Sequence, residues 1–104
     1  MKNKERIVID MLKHVVAWKI SDENKEENLK NMKAMLESLV GKIDVIKSLQ
    51  MGINENGGEY DAVLICDFEN SEALKIYDQH PEHMQVRKFI RSIAKDRMAV
   101  DYNY

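Results

Sequence analysis

The residues from Met11 to Ile20 sort at a period of two. Leu12, His14, Val16, Trp18 and Ile20 fall on one side of an extended chain, and Met11, Lys13, Val15, Ala17 and Lys19 on the other. That is the period of a β-strand, and the β-branched and aromatic content suits one. Both sides hold apolar residues, so both faces are expected to be covered, one by helices and the other by a partner chain. Ser21-Asp22 then offers a helix cap, and Glu23, Glu26 and Glu27 put negative charge on a first turn, where the helix dipole favours it. Leu29, Met32, Leu36, Leu39 and Val40 follow at helical spacing with Met35 beside them, which predicts a long amphipathic helix. Gly41 suits the left-handed position just past its end.

The period returns to two from Ile43 to Ile53, where Val45, Lys47, Leu49, Met51 and Ile53 alternate against Ile46, Ser48 and Gln50. Asn54 to Gly58 is a turn, and Tyr60 to Phe68 a third strand that closes a hairpin with the second. Tyr60, Ala62, Leu64, Cys66 and Phe68 share one face of that strand. No strand–glycine loop–helix context surrounds the turn, so it is a poor phosphate cradle. Asn70 or Ser71 caps a short helix through Tyr77. Pro81 begins another, since proline suits a first helical turn and the residue before it resists helical angles. Met84, Phe89, Ile90 and Ile93 form its apolar stripe, and Arg97 to Tyr102 is a last short strand. The order is βαββαβ with the second helical region broken at His80-Pro81. This is a ferredoxin-like α+β arrangement, a four-stranded antiparallel sheet with helices on one face. Residues 1–10, largely charged, read as an extension, and residues 11–104 as one domain.

Composition narrows the function classes. A chain of 104 residues, 44% apolar and 33% charged, is ordinary for one globular domain. A net charge of −2, with both signs interspersed, makes no case for a nucleic-acid partner. The apolar runs are too short to span a bilayer, and Ile7-Val8-Ile9 is too short for the core of a signal peptide, so no membrane partner is expected and the cytoplasm is the expected location. Cys66 is the only cysteine, which rules out an intrachain disulfide and fits a reducing compartment.

Several segments together resemble the Dabb family, the stress-responsive dimeric α/β-barrel domain. They are Lys13-His14-Val15-Val16, Gly52-Ile53-Asn54, Tyr60-Asp61, the run Phe68 to Leu74, Tyr77, His80-Pro81-Glu82-His83, Asp96-Arg97 and Val100-Asp101-Tyr102. The resemblance runs from about Met11 to the C-terminus. It implies a homodimer in which two four-stranded sheets meet face to face with the helices outside. The best understood relatives resemble plant polyketide (olivetolic acid) cyclases, which close a ring in a linear polyketide by intramolecular aldol condensation. In them a first-strand histidine and a Tyr…His pair around the His-Pro break line a pocket; the positions here are His14, Tyr77 and His83. A further third-strand histidine of the cyclases is matched here by Ala62, which removes a polar group.

Candidate chemistry concentrates at Tyr77-Asp78-Gln79-His80-Pro81-Glu82-His83. An imidazole exchanges protons near neutrality, and an early helical position opposes added positive charge, so His83 is a candidate general base. The plainer reading is a histidine that packs or caps the helix start. His14, on an apolar strand face, must find a hydrogen bond and is either a satisfied core residue or a catalytic one. In the catalytic version His14 and His83 approach across the gap between sheet and helices, and Tyr77 donates to a carbonyl oxygen. Trp18, Ala62, Leu64 and Phe89 are expected ligand-binding wall. His80 is expected to cap the helix that follows it. His80 and His83 lack secure further ligands in His14 or Glu82, so no metal site is expected, and no cofactor. Cys66 reads as a small buried residue, and Asp101 and Tyr102 as packing and pairing residues of the last strand. Three functions fit: a Dabb homodimer binding a small apolar or carbonyl-bearing molecule without catalysis, an acid–base cyclase or lyase using His83, His14 and Tyr77, or a structural dimer whose pocket is filled by its own side chains.

Overall fold

The structure, a computed structural model, describes residues 10–104. The extension expected over residues 1–10 lies outside the described residues except for Asp10. The elements run β1 (Leu12–Ile20), α1 (Lys25–Glu37), β2 (Ser48–Ile53), β3 (Ala62–Phe68), α2 (Ser71–Gln79), α3 (Pro81–Ile93) and β4 (Ala94–Asn103). The sheet order is β2-β3-β1-β4, and every neighbouring pair is antiparallel. The ferredoxin-like architecture is as the periodicity predicts.

The alternation in β1 becomes a difference between faces. Leu12, His14, Val16, Trp18 and Ile20 are buried under the helices, while the residues between them are half-buried. β3 repeats the pattern, with Ala62, Leu64, Cys66 and Phe68 buried and Val63, Ile65 and Asp67 half-buried. Cross-strand partners share a face, so the pairings Val15 with Ile65 and Val100, and Ala17 with Val63 and Met98, build one apolar patch on the side away from the helices. Met98 and Val100 are about half exposed there.

Several boundaries differ from expectation for local reasons. Ser21 does not cap α1. Its N–H donates to the Ile93 carbonyl, and a turn follows in which Asn24 takes a left-handed φ of 55° before the helix begins at Lys25. Asp22 serves this turn from outside, with its carboxylate 3.3 Å from Lys25 Nζ. α1 ends at Glu37 rather than Val40, which is exposed, and successive turns continue to Gly41. Gly41 has the expected positive φ of 93°. β2 starts at Ser48, not Ile43. Ile43 and Ile46 are buried, but in a turn where the Ile46 N–H donates to the Ile43 carbonyl, so their spacing is that of a turn and not of a strand. β3 starts at Ala62, not Tyr60, and the Asp61 carboxylate takes over at the strand's edge by accepting from the Ile20 N–H at 2.7 Å.

The helical region breaks where proline requires. Asn70 caps α2, its side chain accepting from the Ala73 N–H at 2.9 Å. His80 is extended (φ −66°, ψ 134°), as the residue before a proline prefers, and its Nδ1 accepts from the Glu82 N–H at 3.1 Å, capping α3 as expected. The buried stripe of α3 is His83, Val86, Ile90 and Ile93; Met84 is half exposed and Phe89 half-buried. β4 follows α3 with no loop and is ten residues long, longer than Arg97 to Tyr102. Among the described residues no helix is long and apolar enough to cross a membrane.

Candidate functional site

Where α3 hands over to β4, a cavity of about 390 Å³ opens between the sheet and α3. Val16, Trp18 and Leu64 form its sheet side, and Leu36 reaches it from α1. Tyr77 and Asp78 come from α2, and His83, Arg87, Ile90 and Arg91 from α3. His14 also lines it. The cavity therefore brings together His14, Tyr77 and His83 with two of the four expected wall residues, Trp18 and Leu64. Ala62 lies instead at a second, shallower depression with Gly52, Ile53 and Tyr60, and Phe89 borders neither. Ala62 shares the face of Leu64 but sits two cross-strand pairs further along, opposite Trp18, and Phe89 falls outside the α3 stripe that faces the sheet.

The three polar residues form an aromatic stack. Tyr77 packs on His83 with ring centroids 4.0 Å apart, and its edge meets His14 at 6.1 Å. Phe68 backs Tyr77 at 5.0 Å. Each imidazole has a partner that fixes its tautomer. His14 Nδ1 lies 2.5 Å from Asp101 Oδ1, and His83 Nδ1 lies 3.3 Å from the Asp78 carbonyl oxygen. A carbonyl or a carboxylate can only accept, so Nδ1 carries the proton in both rings and Nε2 is left as the basic atom. Asp101 thus does more than pair strands: the β1–β4 register sets it directly opposite His14. Sequence reading misses this because two residues far apart in sequence meet only once the register is known.

Burial lowers the proton affinity of His83; the Asp78 carbonyl and charge oppose this, and the Arg87 guanidinium and His14 reinforce it. The neutral form is favoured as expected, with burial as its leading cause. Burial likewise pushes the Cys66 thiol up to about 12, so no thiolate nucleophile is available at neutral pH. The Tyr77 phenol is raised well above its ordinary value, again chiefly by burial. Its hydroxyl is fully buried and, among the described residues, has no partner at full hydrogen-bond geometry; the Cys66 thiol is its polar neighbour. Among the described residues no group of three or more His, Cys, Asp or Glu side chains is placed to hold a metal ion.

A family model described as the Stress responsive A/B Barrel Domain, Dabb, matches residues 12–104. The chain belongs to the Dabb family. The stress-response A/B barrel domain-containing protein DABB1 of Arabidopsis thaliana is 30% identical over 98 residues, a match that takes in 88% of this chain and 46% of the relative. The Dabb chain thus spans about half the length of that curated relative. Among solved structures, a dimeric protein of ferredoxin-like fold from Bacteroides fragilis superposes with a TM-score of 0.85 at 33% identity, covering 90% of this chain and 96% of its own. A hydroxynitrile lyase from Passiflora edulis superposes at 0.82 over 93% of this chain and 95% of its own, at 10% identity, a likeness of fold alone.

The buried His83 makes the stability of the Dabb domain depend on pH. Its proton affinity is lowered on folding from an ordinary 6.5, so the unfolded chain holds that proton more tightly. The resulting stabilisation is fully present above the unfolded value and is lost as pH falls through the folded one. Urea unfolding between about pH 7.5 and about pH 5 is expected to show stability falling with pH, and His83→Gln is expected to flatten that slope. An unchanged slope in the variant would mean that His83 titrates alike in both states.

Proposed function

We propose that this Dabb domain is a homodimer that binds a small carbonyl-bearing molecule in the cavity beside Tyr77. The observation that carries the ligand reading is the cavity itself, with Tyr77 in its wall and a buried Tyr77 hydroxyl that is unpartnered among the described residues. A buried donor without an acceptor costs about 1–3 kcal/mol. A ligand carbonyl is an acceptor of the right kind, and the wall of Val16, Trp18, Leu64 and Ile90 suits an apolar body around it. A volume of about 390 Å³ is within the range of small-molecule sites and argues against a pocket filled by its own side chains.

A second reading rests on the imidazoles. His14 is oriented by Asp101, and His83 has its Nδ1 proton engaged, so both offer Nε2 as a base next to a donor phenol. That is the equipment for removing a proton beside a carbonyl, the step that cyclase or lyase chemistry on a polyketide-like substrate requires. Catalysis by His83, His14 and Tyr77 is the outcome this reading adds to binding.

One experiment separates these. A small aryl methyl ketone is added to the protein in D₂O and followed by NMR. Binding is expected to weaken by about tenfold in Tyr77→Phe, the equivalent of about 1.4 kcal/mol. The same variant is expected to be more stable than the parent by about 1 kcal/mol in the absence of ligand, because the orphaned hydroxyl is gone. Equal ketone affinity in parent and variant would remove the carbonyl reading. Exchange of the methyl protons that disappears in His83→Gln would establish the acid–base reading, and its absence would restrict the site to binding.

The dimer reading is supported by the open sheet face. Val15, Ala17, Val63, Ile65, Met98 and Val100 form an apolar patch there that no helix among the described residues covers, and the Bacteroides fragilis protein is itself dimeric. Light scattering is expected to give twice the chain mass, and Ile65→Glu, which puts a charge at the patch centre, is expected to give monomers. A parent monomer at micromolar concentration, or a variant that still pairs, would rule out this interface.

A further inference from the structure

The cavity differs in chemistry between floor and rim. Its floor is apolar, with Val16, Trp18, Leu64 and Ile90. Its rim is cationic: Arg87, Arg91, Lys95 and Arg97 all border it, and all four are exposed. Two carboxylates, Asp78 and Asp96, border it as well, so the cations outnumber them.

Helix geometry produces this rim. His83, Arg87 and Arg91 recur every fourth residue of α3 and so follow one face. Lys95 and Arg97 continue the series at the start of β4, where the register sets Arg97 opposite Trp18. Two cations one turn apart repel each other, so the spacing works against the helix when nothing sits between them. Some of the other basic side chains show a contrast, although Lys30, Lys47, Lys75 and Lys88 are likewise without an ion pair among the described residues. Lys13, Lys19, Lys25, Lys33 and Lys42 each lie within 4.0 Å of a carboxylate. Among the described residues Arg87, Arg91, Lys95 and Arg97 have no such ion pair; the Arg87 guanidinium has only the Met84 sulfur, at 4.0 Å.

We infer that the cavity takes an amphipathic anion, its oxyanion head held by Arg87 and Arg91 and its apolar body laid on Val16, Trp18 and Leu64. The inference rests on reading the cavity as a ligand site and adds the charge of the ligand. A guanidinium presents a planar fork of donors that matches a carboxylate or a phosphate in two parallel hydrogen bonds. At about 30 Å³ for each water-sized group, the cavity has room for about a dozen non-hydrogen atoms, so the body is short. Lys95 and Arg97 add long-range attraction at the mouth, and Asp78 and Asp96 discriminate against a cationic head.

Trp18 is the only tryptophan and lines the cavity, so its fluorescence reports occupancy. Octanoate, octyl phosphate and 1-octanol share a body and differ in head. At low salt one or both anions are expected to bind about tenfold tighter than the alcohol, and the tighter of the two identifies the head. Arg87→Gln with Arg91→Gln is expected to abolish that preference while the thermal melt stays that of the parent. Salt at about 1 M, where the screening length falls to about 3 Å, is expected to shrink the preference in the unmodified chain. Equal affinity for all three ligands would overturn the anion inference and leave the ligand site standing. A preference that survives in the double variant would overturn the placement of the head. If none of the three perturbs Trp18, the ligand site itself falls, and the anion inference with it.

Discussion

The pairing register of β1 is the constraint on which the rest of the structure depends. β1 lies between β3 and β4, so its register is set twice, by His14 against Cys66 and by His14 against Asp101. A strand has period two, and a slip of one residue would turn His14, Val16 and Trp18 to the open side and bring Lys13, Val15 and Ala17 under the helices. Burying Lys13 and Lys19 without partners would cost far more than the apolar contacts regained. The hydrophobic pattern therefore selects one register. That register places the imidazole beside its carboxylate and Trp18 beside Arg97 at the cavity mouth.

The helices complete the site by what they leave open as much as by what they cover. α3 lays Val86, Ile90 and Ile93 on the sheet, and burying one such side chain contributes about 1.5–3 kcal/mol. That margin accommodates local features that work against stability: a buried, neutral His83, a Tyr77 hydroxyl with no partner, and cations stacked along one helix face. All of these lie at the same cavity. Elsewhere the polar groups are better served. Asp67, for example, gathers Ser48, Tyr104 and Lys13, and the Asp61 carboxylate accepts from the Ile20 amide. Among the described residues the one buried side-chain polar atom without a partner, the Tyr77 hydroxyl, belongs to a residue of this hollow.

The fold was largely legible because its signals are local or periodic. Alternation in β1 and β3, the turn at Asn54–Gly58, the Asn70 cap and the His80-Pro81 break each depend on a few neighbouring residues, and each lies where expected. Reading failed where two local explanations coincide. Ile43 and Ile46 are apolar and buried in a turn, but Ile43 and Val45 sit in phase with Leu49 and Met51 of the strand that follows, so β2 looked longer than it is. Met84 is apolar but falls off the stripe that His83 occupies. Within the site, the family resemblance pointed to His14, Tyr77 and His83 as one group, and the cavity unites them. Asp101, the cationic rim and the exclusion of Ala62 and Phe89 were not legible, because each depends on tertiary placement that residue types alone do not carry.

The central claim is that partners fixed by the fold hold both site imidazoles with the proton on Nδ1 and the basic lone pair on Nε2. Long-range ¹H–¹⁵N correlation of the histidine rings at about pH 8, above the ordinary range of a free imidazole, reads this directly. His80, whose Nδ1 accepts the Glu82 amide proton, serves as the internal contrast and is expected as the Nε2–H form. The account expects the Nδ1–H form for His14 and His83. Spectra showing those two rings as Nε2–H, like His80, would contradict it.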